Sequence, residues 1–179
     1  MLFTSSFSEN EINAYIAKTA SYIKTQRDLF AENAAPFSPG QFEVFKPFFS
    51  EAILKTTLFF QKQDGPLENP DFLKEINEKG IHFSLERTKA TTFIDVVVFS
   101  GELDAKIQFH ELVHAVQYQK MGHKQFANKY MRGLLRTGEY TKIPLEVNAY
   151  NLQEAFMANP DQPFSVEAEV QKLINENKF

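Results

Sequence analysis

Between Leu103 and Met121 apolar residues recur every three to four positions on two faces of a helix at once. Phe109, Leu112, Val113 and Val116 form one stripe, and Ile107, Tyr118 and Met121 fall on another together with His110, Glu111 and His114. A helix that is apolar on both faces belongs at the centre of a fold and is largely buried. Gly122 is its natural stop. The stretch Phe109-His110-Glu111-Leu112-Val113-His114 also carries chemistry. Histidines four apart lie one above the other on a helix, so both imidazoles reach the same metal ion, with Glu111 beside them to hold an attacking water. Such a pattern arises by chance in only roughly one chain of this kind in a hundred.

Catalytic zinc takes three protein ligands and leaves one position for water. The chain has no Cys, which excludes disulfides and a thiolate site, so the third ligand has to be His or carboxylate. The extension that places a third His on the same segment fails, because Lys120 stands at that position and Gln117 replaces the intervening Gly. His82 is expected on the far side of a strand and His123 just past a helix end, both solvated. Glu146, in Ile143-Pro144-Leu145-Glu146-Val147-Asn148-Ala149-Tyr150, is the better candidate. Its helix buries Leu145, Ala149, Leu152 and Phe156, which sets Glu146 at the edge of that face, and the small Ala149 allows close helix approach. A first-turn Glu is also favoured by the helix dipole alone.

Elsewhere the pattern predicts a helix over 9–34, with Ser8 and Glu11 as a capping box and Phe7 stapled on Ile12. Ser38 with Pro39 starts a second helix that Pro47 should break. The β-branched and aromatic residues of 53–61 favour a strand, with a helix running on from Phe48 as competitor. A short helix is predicted from Asn69-Pro70 to Gly80, then a half-buried strand Ile81–Leu85, and a strand Phe93–Phe99 that turns at Ser100-Gly101 into the central helix. Beyond Gly122, helices are expected over about 124–136, from Pro144 to about Ala158, and after Ser165.

Composition bounds the class. A chain of 179 residues, 43% hydrophobic, is expected to fold as one domain over 1–179, its core rich in Phe, of which there are 19 against no Trp. A net charge of -4 argues against nucleic acid or an anionic membrane as partner. The stretch Met1–Phe7 lacks the basic and apolar regions of a secretory leader, and no apolar run reaches membrane-span length, so a cytoplasmic location is expected.

The His-Glu-x-x-His helix followed by a downstream Glu on a second helix resembles the gluzincin branch of the zincin metallopeptidases. More closely, FHELVHAVQY, Gly138, Tyr140, IPLEVNAY and PFSVEAEV look like a group of small bacterial zincin-like proteins, over about residues 93–170. The resemblance implies Zn2+ on His110, His114 and Glu146 with Glu111 as catalytic base, and a strand before the motif helix, here 93–99, that pairs with extended substrate. One departure concerns Tyr150, which stands where larger gluzincins often carry an Asp that orients a His. Support for the imidazoles then falls to Asp95, Asn148, Asn151 or backbone carbonyls.

The expected architecture is α+β, a zincin-like domain built mainly from helices around a small sheet. The expected function is a zinc-dependent peptidase acting on a peptide or protein substrate, Glu111 taking a proton from water and passing it to the leaving amine. A phenol, Tyr140 or Tyr150, would steady the oxyanion. The alternative is a zinc-binding regulatory or interaction module that keeps the ligands without turnover.

Overall fold

The computed structural model describes residues 7–179; Met1–Ser6, read above for a leader, lie outside the described residues. The fold is mixed α+β and mostly helical. Its elements are α1 (Glu9–Ala31), β1 (Ala35–Pro36), α2 (Pro39–Phe45), α3 (Glu51–Thr56), β2 (Leu58–Gln61), α4 (Asp71–Glu78), β3 (Ala90–Phe93), β4 (Val96–Phe99), α5 (Ala105–Thr137), α6 (Pro144–Ala158) and α7 (Val166–Asn175). The strands form one sheet in the order β1-β2-β4-β3, with β2 parallel to β4 and the other pairs antiparallel. Among the described residues no helix is long and apolar enough to cross a membrane.

Local chemistry accounts for the helix ends. Ser8 and Glu11 close a capping box on α1, Ser38 and Gln41 another on α2, and Ser165 caps α7. Phe7 meets Tyr15 edge to face, ring centroids 5.9 Å apart. Gly122 breaks α5 as expected, with φ 75 and ψ 157, but the chain resumes helical geometry at once and runs on to Gly138, whose φ of 70 ends it.

Three expectations are corrected. The strand favoured over 53–61 divides: Ser50 caps the short helix α3, and only Leu58–Gln61 enters the sheet, beside β4. Ile81–Leu85 is not a strand, although its alternation is real: Ile81, Phe83 and Leu85 are buried and His82 is exposed. Side-chain amides replace strand partners there, Asn77 bonding both N–H and C=O of Phe83 and Asn69 accepting from the Leu85 N–H. The strand predicted over 93–99 is the second half of a hairpin. Phe93 ends β3, Ile94 and Asp95 turn, and Val96 begins β4.

That turn holds Ile94 at φ 62, a region β-branched residues rarely enter. Its second residue is held from a distance: Arg27 of α1 donates from Nε and Nη2 to the two carboxylate oxygens of Asp95, at 2.7 and 2.8 Å. The pair is about one-third exposed, so solvent screens part of it. We expect Arg27→Ala to lower stability in urea by about 1–2 kcal/mol. A loss under about 0.3 kcal/mol would place the pair among ties that water screens fully.

The core lies on both sides of α5. On one, Phe109 stacks on Phe156 at 4.5 Å and meets Phe48 and Phe49. On the other, Tyr118, Phe126, Met131, Leu134 and Leu135 pack with α1 and the region of α4. Residues 108–118 are all buried, as a helix apolar on both faces requires. Gly133 lets the start of α6 approach closely: a Cβ there would stand 3.0 Å from Pro144 Cδ and 3.1 Å from Ile143 Cγ2. This contact seats the first turn of α6, which carries Glu146, against α5.

Candidate metal centre

Helical spacing puts His110 and His114 on one face of α5, ring centroids 4.8 Å apart. Pro144 starts α6 with its φ already helical, and Glu146 follows in the first turn. All three side chains are buried, at 6%, 5% and 2% exposure. Their tips converge. His110 Nε2 lies 3.1 Å from His114 Nε2 and 3.3 Å from Glu146 Oε2, and His114 Nε2 lies 3.4 Å from Glu146 Oε1. Ligand atoms about 2.0–2.1 Å from a tetrahedral centre stand about 3.3–3.4 Å apart, so the donor set matches the edges of such a site. Among the described residues this is the one group of three His or carboxylate side chains placed to hold a metal ion, and His82 and His123 are not part of it.

The electrostatics follow from burial. Desolvation pulls the His114 imidazolium down, but the Glu146 carboxylate outweighs it, and the group is pushed up to about 9. Desolvation likewise raises Glu146, and the His114 charge with hydrogen bonds from both imidazoles more than reverses it, leaving the carboxyl well below the usual range. Without a metal the cluster therefore holds a proton, and a cation entering it displaces that proton.

Glu111 points to the neighbouring strand. Its carboxylate accepts from the Thr92 hydroxyl of β3 at 2.6 Å, and the same hydroxyl is 3.0 Å from the Glu111 carbonyl oxygen. Tyr140 sits in a 3-10 turn, Tyr140–Lys142, with its ring stacked on Phe83 at 5.1 Å, while the Tyr150 ring packs on His110 at 4.6 Å. Tyr130 joins them from the far end of α5. Tyr130 and Tyr140 line one cavity with Glu146, and Tyr140 and Tyr150 line one groove with His110. Burial first and the Glu146 charge second hold all three phenols above their ordinary value, so near neutrality they are O–H donors.

Of the residues named for support, Asp95 is occupied by Arg27 at the hairpin turn, Asn151 is exposed, and Asn148 accepts from Gln117. His110 Nδ1 is buried without a hydrogen-bond partner, and the Tyr150 ring covers that imidazole in place of a carboxylate. Thr92, Gln117 and Tyr130 were not singled out as site residues by the sequence. Gln117 had a signal, an amide where the motif's extension has Gly; Thr92 and Tyr130 had none.

Two spaces meet at the site. A groove of about 740 Å³ runs past His82, Lys89, Ala90, His110, Tyr150 and Glu154. A cavity of about 90 Å³, mostly apolar, shares part of that lining and extends against Phe93, His114, Tyr118, Met131 and Glu146. Glu111 and Tyr140 border both. The outermost strand of the sheet next to the groove is β3, whereas β4 is paired on both sides. The strand expected to face substrate, 93–99, is thus half interior, and the edge belongs to Ala90–Phe93.

Comparison with protein-family models, with curated proteins and with solved structures gives no match.

Proposed function

We propose that the chain is a small zinc-dependent peptidase of gluzincin type, with His110, His114 and Glu146 as ligands and Glu111 as general base. The observation that carries this reading is the convergence of two imidazole nitrogens and a carboxylate at tetrahedral-edge spacing, with Glu111 on the same helix at the border of a groove. When bound, zinc supplies Lewis acidity that brings water toward ionisation near neutral pH and polarises a carbonyl. Glu111, held by Thr92, takes the proton from water and returns it to the departing amine. Tyr140, kept protonated by burial, donates to the oxygen of the attacked carbonyl, because it borders both groove and cavity; Tyr150 is placed mainly to cover His110. Substrate lies extended along the edge of β3, whose backbone can pair with it, and an apolar side chain enters the cavity past Glu111.

Purified without added metal, the protein is expected to carry about one equivalent of zinc and to cleave members of a peptide library, with His110→Ala losing both. Protein that folds and carries no zinc, even after incubation with it, would reject this reading. Zinc held firmly with no cleavage of any peptide would instead favour a binding module.

A further inference from the structure

Gln117 is fully buried, 0% exposed, one turn beyond His114 on α5. Its amide nitrogen donates to the Leu145 carbonyl oxygen and to Asn148 Oδ1, both at 3.0 Å, and its Oε1 faces His114 Nδ1 at 2.9 Å. A backbone carbonyl only accepts, so the end of the amide beside Leu145 has to be the nitrogen. The oxygen is then committed to His114, and the ring atom facing it has to carry a proton. A neutral His114 therefore has its hydrogen on Nδ1 and its lone pair on Nε2, the atom that meets His110 and Glu146. The other end of the same amide grips the residue before Glu146 and the residue two after it.

We propose that Gln117 is the positioning residue of the metal centre: one buried amide sets the tautomer of His114 and ties the α6 turn that carries Glu146 to the helix that carries both histidines. This rests on the zinc reading above. It also gives a use to Gln where the motif's extension has Gly: the side chain supplies from within α5 an outer hydrogen bond to His114, of the kind His110 lacks at its own Nδ1.

The test uses the full chain and zinc alone. Gln117→Met keeps the length and removes every polar contact, and competition with a chelator is expected to show zinc bound 10–100-fold more weakly, roughly the cost of losing an outer-shell partner. Wild-type protein that binds zinc, alongside a folded Gln117→Met that binds it equally well, overturns the role of Gln117 and leaves the zinc reading standing. Wild-type protein that takes up no zinc overturns both. A second measurement does not depend on the variant folding. Nitrogen-15 NMR of the His114 ring in zinc-loaded wild type should show Nδ1 protonated and Nε2 as the ligand; a proton on Nε2, or ligation through Nδ1, overturns the proposal.

Discussion

Glu111→Gln is expected to leave zinc content and melting temperature near wild type while lowering kcat/KM for peptide cleavage by roughly 10²–10⁴-fold, the usual contribution of a positioned general base. The substitution is nearly isosteric, and Glu111 is outside the three-ligand group. The amide oxygen can still accept from Thr92, which holds the carboxylate at 2.6 Å, so the side chain keeps its place and loses only its basicity. Zinc loading therefore separates this variant from any ligand variant. Cleavage that survives undiminished in zinc-loaded Glu111→Gln would remove Glu111 from the reaction, and a simultaneous loss of zinc would show that the residue acts on the metal's environment instead.

The parts of this fold that the sequence announced are those settled within a few residues. Ser8, Ser38 and Ser165 cap helices by bonding three residues ahead, and Gly122 interrupts α5 because no other residue enters that conformation so readily. The hairpin was hidden for the opposite reason. A turn with Ile at positive φ carries none of the Gly or Asn that marks such turns, and it is held by Arg27 from another element. At Ile81–Leu85 the alternation correctly separated buried from exposed residues, but alternation does not say what will satisfy the backbone, and Asn77 took the place of a strand. The candidate site divides in the same way. His110, Glu111 and His114 are legible because one turn of helix brings them together, and Glu146 because its helix presents it early. Thr92 and Tyr130 become site residues only when β3 and the distal half of α5 close on Glu111 and Glu146.

Glu146→Ala is expected to weaken zinc binding by at least about 100-fold, beyond what an outer-shell loss costs, because it removes one of the three proposed ligands. It is also expected to change how the metal-free protein responds to pH. In wild type His114 is raised from 6.5 to about 9 by Glu146, against the pull of desolvation. A raised imidazole contributes stability that is complete below its unfolded value and disappears as pH rises through the folded one, so metal-free wild type should lose on the order of 1–3 kcal/mol between pH 6.5 and 9. The lowered Glu146 acts on the other side: its contribution is present above 4.5 and is lost as pH falls toward its depressed folded value. Without Glu146, desolvation is the main influence left on His114, the imidazole stays neutral in the fold, and the loss on the alkaline side should vanish. Zinc reverses the trend, since it displaces the proton that His114 otherwise holds, and wild-type zinc affinity should tighten as pH rises over the same range. Melting curves of chelator-treated wild type and Glu146→Ala at the two pH values decide the matter. Equal alkaline losses in both would mean that Glu146 does not set the protonation of His114.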